Sequence, residues 1–380
     1  MPLPAKTFES DDFGPSFGLL ARQKIEVMIR RGMIAPSEPI EARQLQPASL
    51  DLRLGPKAYR VRASFLPGRE RCVGELLRED DAIDLASGAV LERGCVYVIP
   101  LLERLRLPDS ISAVANPKSS TGRLDIFTRL IADRSEAFDR APRGYEGQLY
   151  AEVSPRSFSV RVRKGSKLNQ IRFRRLNSQQ LRLAGFAIDD RELAQRHDSR
   201  PLVEGAANLR QGLILRVALG EAAPGAPIGF RAQKHAEVVD IDRTGYRLDD
   251  FWDRIWPRAD GRLILDPGEF YILASQERLQ IPPDLAAEMV PIDPAMGEFR
   301  VHYAGFFDPG FGASPDMKPG ARAVLEVRSH EVPFALEDGQ IIGRLVYEKM
   351  AEPPLTLYGE GEGSNYQGQG LKLSKHFVMG

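Results

Sequence analysis

LERGCVYVIPLLERLRLP (residues 91–108) and LDPGEFYILASQERLQIP (residues 265–282) are the stretches that decide the fold. At a constant offset of 174 positions, seven of their eighteen residues are identical: Leu91/Leu265, Gly94/Gly268, Tyr97/Tyr271, Glu103/Glu277, Arg104/Arg278, Leu105/Leu279 and Pro108/Pro282. After a slip of one residue, Asp109 falls on Asp284. The same offset places Tyr150-Ala-Glu-Val153 on Val324-Leu-Glu-Val327, and residues 165–171 (GSKLNQI) on 339–345 (GQIIGRL). Such a period is too long for a solenoid repeat and is the size of a domain. The 380 residues therefore read as two copies of one fold: a first domain over 1–190, a linker over 191–210 and a second domain over 211–380.

Within each copy the pattern is that of strands. Short β-rich runs at 95–99, 149–153, 158–162, 270–273, 322–327 and 341–347 are bounded by Gly, Pro, Asp and Ser. Helical periodicity is confined to residues 19–31, with Ile25, Met28 and Ile29 on one side, and to 189–196; the polar stretch 189–209 reads as the connection. The 34 glycines and 28 prolines supply many turns. The expectation is a mostly β protein of two tandem domains with a few short helices.

Lys and Arg number 52, as do Asp and Glu, so net charge gives no reason to expect a nucleic-acid or membrane-surface partner. Two cysteines, Cys72 and Cys95, exclude a disulfide framework and any zinc site built on three thiolates. The first twelve residues lack the basic and apolar regions of a secretory signal, and no run approaches the ~18 apolar residues of a membrane span. A soluble protein of the cytoplasm is expected.

Three segments carry the residue types of a reactive site. Asn116-Pro-Lys-Ser-Ser-Thr-Gly-Arg123 joins two strand patterns; its hydroxyls, cations and backbone N–H groups can hold a phosphate, or it is a solvated turn. Tyr303-Ala-Gly-Phe-Phe-Asp-Pro-Gly-Phe-Gly312 reads as a hairpin tip with aromatics flanking an Asp-Pro-Gly turn. Shortly after it, Glu326 sits in an otherwise apolar run. Strict alternation puts it on the face of Val324, opposite Leu325 and Val327, which reads as the solvent side; the sharper alternative is a half-buried carboxylate with a raised pKa that shuttles protons. Residues 358–370 (YGEGEGSNYQGQG) read as a structureless end or as a closing lid carrying Tyr366, Gln367 and Gln369.

Other chemistries are excluded. His235-Ala-Glu237 matches half of a zinc-deaminase signature, but its Pro-Cys-x-x-Cys companion is missing. There is no Gly-x-Ser-x-Gly elbow and no Walker loop, and the five histidines show no metal spacing.

Taken together, these segments resemble the dCTP deaminase branch of the trimeric dUTPase-like superfamily. Residues 46–55 (QPASLDLRLG) look like its early strand motif, Pro117-Lys-Ser-Ser-Thr-Gly-Arg123 like its phosphate-binding serine motif, and Ala304 to Phe311 with Val324-Leu-Glu326 like its nucleoside hairpin and catalytic glutamate. Tyr358 and Tyr366-Gln-Gly-Gln369 look like its closing C-terminal segment. The resemblance implies two fused dUTPase-like β-clip domains, each a distorted barrel. It also implies hydrolytic deamination of dCTP to dUTP and ammonia without a catalytic metal. Glu326 would take a proton from water and relay it, Ser119 and the carbonyl of Ala304 would position that water, and Arg123 would stabilise developing charge. Lys118, Ser120 and Gln369 would grip the triphosphate with its Mg²⁺, Asp308 the sugar, and Val324, Tyr358 and Tyr366 the rest of the nucleotide.

Members of that family are usually about half this length, with sites between subunits, so a homo-oligomer is expected. Here the copies have kept different parts. The first has the serine motif, but residues 133–144 (DRSEAFDRAPRG) replace the compact hairpin. The second keeps hairpin and tail but has Asp293-Pro-Ala-Met-Gly-Glu298 in place of the serine motif. A composite site is expected, the serine motif from the first copy and the glutamate from the second, with the reciprocal site dead. Glu152, at the matching position of the first copy, is the rival catalytic residue, and Asn365 stands where the family commonly has a Lys. The alternatives are a bifunctional dCTP deaminase and dUTP pyrophosphatase, a dUTPase, or a non-catalytic nucleotide-binding protein; dTTP is an expected inhibitor.

Overall fold

The computed structural model describes residues 13, 16–176, 187–291, 299–302 (backbone only), 305–313, 318–329, 331–360 and 364–378. The chain is mostly β. In the first half, one sheet runs Gly18–Leu19, Lys167–Arg175, Ile111–Pro117, Arg140–Ala141, with Leu50–Arg53 also on Lys167–Arg175. The other runs Ala82–Asp84, Lys57–Val61, Val96–Arg106, Glu146–Pro155, Ile126–Ala132. The second half repeats both: Leu213–Arg216, Ile341–Lys349, Leu285–Pro291, Phe306–Phe307, and Trp252–Ile255, Gly229–Ala232, Tyr271–Leu279, Ala321–Ser329, Phe299–His302.

The internal repeat is structural down to single hydrogen bonds. Tyr97 OH accepts from the N–H of Glu92 at 3.0 Å, and its counterpart Tyr271 OH accepts from Asp266 at 3.0 Å. Gly94 and Gly268 both take left-handed φ, 80° and 75°, at the turn that starts each strand, where a side chain would be strained. Glu152 lies opposite Val98 in the first copy and Glu326 opposite Ile272 in the second, so even the register is shared.

The expected helices form at Arg22–Arg30, which buries Ile25 and Met28, and at Asp190–Ser199, capped by the Asp189 carboxylate accepting from Glu192 N–H at 2.8 Å. The second helix lies inside the stretch read as a connection, and Leu193, Leu202 and Val203 there join the core of the second copy. No helix of the described residues is long and apolar enough to cross a membrane.

The two halves share a core. Phe158 and Val160 of the first pack with Phe230, Trp252, Phe270, Ile272 and Val324 of the second. Phe158 meets the Trp252 ring edge-on at 5.4 Å. This shared core overturns the solvent-side reading of Glu326. Alternation does place it with Val324, but that face of Ala321–Ser329 is turned to the other copy rather than to water.

Candidate active site

Strand Ile111–Pro117 ends where Pro117 withholds an N–H from the ladder. The chain then turns: Thr121 and Gly122 N–H donate to Lys118 O at 2.8 and 2.9 Å, and Ser119–Gly122 make one helical turn. Ser120, Thr121 and Arg123 are buried, so the solvated-turn reading does not hold. The cause is the C-terminal tail, which crosses back over this turn. Ser374 Oγ donates to Ser120 O at 2.9 Å, and residues 377–378 pair in parallel with Tyr246–Arg247. The described residues of the tail, 358–360 and 364–378, are therefore folded rather than structureless; 361–363 lie outside the described residues.

Arg123 is the centre of the site. Its Nη2 donates to Gln369 Oε1 and its Nη1 to Lys372 O, both at 2.9 Å, and the guanidinium lies 3.8 Å over the Tyr366 ring. Its Nε–H has no hydrogen-bond partner and faces Glu326 Oε1 at 3.9 Å. Glu326 is 6% exposed. Burial pushes its carboxyl up to about 8, against the pull of Arg123 and its own backbone N–H, and Asp125 adds a smaller upward push.

The turn forms, with Phe311 N–H donating to Asp308 O at 3.0 Å, but among the described residues its two arms pair with other segments rather than with each other: Phe306–Phe307 with Leu285–Pro291, and Phe311 O with Ile281 N–H. Asp308 turns inward to Arg172, which donates to it at 2.8 Å and to Phe307 O at 2.9 Å. Burial raises the Asp308 carboxyl, and Arg172 opposes the rise. Tyr358 OH accepts from Tyr366 N–H at 3.1 Å and its ring lies 5.6 Å from Phe311, which ties the tail to the hairpin. Gln367, not Gln369, holds the tail to the hairpin backbone, through Gly312 N–H, Gly310 O and Ala313 O.

One cavity of about 110 Å³ gathers most of the residues expected from sequence: Lys118, Ser119, Ser120, Arg123, Asp308, Val324, Glu326, Tyr358, Tyr366 and Gln369. Gly305 lines it too, while its neighbour Ala304 and the segment Asp293–Glu298 lie outside the described residues. Glu152 does not line it. That carboxylate accepts from Arg129 Nη2 at 2.8 Å, within the first copy. Asn365 is at the rim and its carbonyl accepts from Lys372 Nζ at 2.7 Å.

Sequence reasoning missed Gln46, Asp51, Gln170, Arg172 and Lys375. Asp51 pairs with Lys118 and keeps a buried oxygen, Oδ1, without a partner. Gln46 and Asp51 sit in the early strand motif, so the signal was there; nothing local marks Gln170, Arg172 or Lys375. Lys375, exposed on its surface side, lines the cavity as a third cation beside Lys118 and Arg123.

The 2′-deoxycytidine 5′-triphosphate deaminase N-terminal domain model matches residues 16–177, and the C-terminal domain model of the same family matches 189–377. The solved 2′-deoxycytidine 5′-triphosphate deaminase from Agrobacterium tumefaciens is 50% identical and superposes with a TM-score of 0.83, over 88% of this chain and 99% of that one. A dUMP-forming dCTP deaminase of Mycolicibacterium gilvum is 32% identical over 143 residues, 37% of this chain and 71% of that protein. A dCTP deaminase of Natronomonas pharaonis is 32% identical over 145 residues, 37% of this chain and 70% of that protein. The chain belongs to the 2′-deoxycytidine 5′-triphosphate deaminase family.

Proposed function

We propose that the chain hydrolyses dCTP to dUTP and ammonia in the cavity between the copies, with Glu326 carrying the protons. Water attacks C4 of cytosine as Glu326 takes one of its protons and passes it to the ring nitrogen N3; the hydroxyl now on C4 then gives up its proton, through Glu326, to the amine, so a C–O bond forms and becomes the uracil carbonyl, the C–N bond breaks and ammonia leaves. The observation that carries the reading is the buried Arg123 Nε–H left without a hydrogen-bond partner, 3.9 Å from a carboxyl whose pKa burial raises to about 8. That gap suits a reacting group that both side chains address. Ser119 and the Ala304 carbonyl would orient the water; Lys118, Ser120, Lys375 and Gln369 would hold the phosphates, and Asp308 the sugar. Mg²⁺ enters with the triphosphate as part of the substrate. The setting would be the cytoplasm, and dTTP would act as an inhibitor.

Glu326→Gln keeps the shape but not the proton acceptor. It is expected to abolish ammonia release while dCTP binding, followed by calorimetry, persists. Retained turnover would move the role to Glu152. Relatives named as dUMP-forming favour a second reading in which dUTP is cleaved further. Chromatography of the products decides between them: dUTP supports deamination alone, dUMP with pyrophosphate the bifunctional enzyme, and binding without turnover a nucleotide-binding protein.

A further inference from the structure

The two copies each carry an excursion of equivalent position, residues 62–81 and 233–251, between strands Lys57–Val61 and Ala82–Asp84 and between Gly229–Ala232 and Trp252–Ile255. They take opposite routes. The second reaches out to the other copy: Val239–Asp240 adds a parallel strand to Val160–Val162, and Asp240 pairs with Arg163 at 2.7 Å. The first folds back onto its own copy. Val73 N–H donates to Asp133 at 2.8 Å, Arg134 N–H to Arg71 O at 3.0 Å and Gly68 N–H to Ser135 O at 3.2 Å, which clamps the excursion to the loop that stands where the second copy has its hairpin.

The clamp closes the face that matters. Tyr150 and Glu152 are the counterparts of Val324 and Glu326. Val324 and Glu326 look out of their own copy, to the first copy's core and to Arg123. Tyr150 instead packs with Val73, Val98 and Ile131 and is flanked by Val61, Phe65, Leu77 and Phe138, all of its own copy. Glu152 is 1% exposed and held by Arg129, whose guanidinium is covered by Phe138 at 3.5 Å and bonded to Ser64 Oγ at 2.9 Å.

We propose that residues 62–81 with Phe138 are a built-in plug of the reciprocal site: each chain holds one working cavity, completed within itself, and the contact between copies is not passed on to another chain. A head-to-tail contact normally repeats until a ring closes; here its next acceptor face is occupied by the chain's own residues. The inference rests on the deaminase reading, and the test separates the two. Arg123→Ala and Glu326→Gln, each inactive alone, are co-expressed and purified together beside wild type. Sites shared between chains would leave about a quarter intact in a random mixture; the expected result is no recovered activity, and recovery of that order would overturn the plug. Independently, Glu326→Gln is expected to bind one dCTP per chain, and two would overturn it. Failure of wild type to turn over dCTP, or of the variant to bind it, would instead reject the deaminase reading.

Discussion

Glu326 shows how a single carboxylate becomes useful through its surroundings. Its sequence context is an apolar strand, and alternation correctly gives the residues that share its face; what alternation cannot give is the second copy's partner 203 positions away in sequence, Arg123. Because burial raises its pKa to about 8, the folded chain holds that proton more tightly than the unfolded one. The resulting stabilisation is complete below the ordinary glutamate range and is lost as pH climbs through about 8. The thermal midpoint of wild type relative to Glu326→Gln is therefore expected to fall between about pH 5 and about pH 9. Activity follows the opposite sense, since the base must be ionised: kcat/KM should rise with pH up to about 8. A flat profile across that range would remove Glu326 as the base. Arg123 and Asp125 are the charged groups that act on it, and His302 is in backbone register with it on the neighbouring strand.

At the scale of elements, the serine turn and the glutamate strand are registered by a second ion pair. Asp125, two residues after Arg123, pairs with Arg328, two residues after Glu326, and also accepts from Ser157 Oγ at 2.6 Å. Asp125 is fully buried and sits at a left-handed φ of 55°, a conformation its neighbours must hold in place. Arg328→Ala withdraws a counter-charge from this buried carboxylate, so it is expected to lose about 3–5 kcal/mol of stability, read by denaturant unfolding, together with most of the activity. An unchanged midpoint would show that the pair does not register the two elements. The tail is the other element that acts across copies. Gln369→Ala removes the acceptor of Arg123 Nη2 and should lower kcat/KM by about ten- to a hundredfold, the usual worth of a hydrogen bond to a charge. The tail's glycines and Tyr366 announced a closing segment, but where it seats did not show in sequence. That seat depends on Ser374 reaching Ser120, a contact with no local signature.

Over the whole molecule, the repeat at 174 positions made the duplicated sheets legible, because turn glycines and strand registers are local and were copied with the chain; the serine, hairpin, glutamate and tail segments were legible from their own residue types and from the family they resemble. The joint between copies was not legible, since it is written in residues far apart whose faces only the assembled structure defines: Phe158 against Trp252, Arg172 against Asp308. That joint has a thermodynamic consequence. Two copies linked only by a tether would unfold separately. Here Trp252, Phe270, Ile272 and Val324 of the second copy belong to the core cluster of the first, and the buried Arg172–Asp308 pair spans the same joint. Melting either copy exposes apolar surface of the other. Calorimetry is expected to give one transition whose van't Hoff and calorimetric enthalpies agree for the whole chain. Asp308→Asn, which takes the carboxylate charge from beside the buried Arg172, should lower that single midpoint without splitting it. Two resolved transitions, or a ratio near two, would mean that each copy stands on its own core and that the joint only aligns the site.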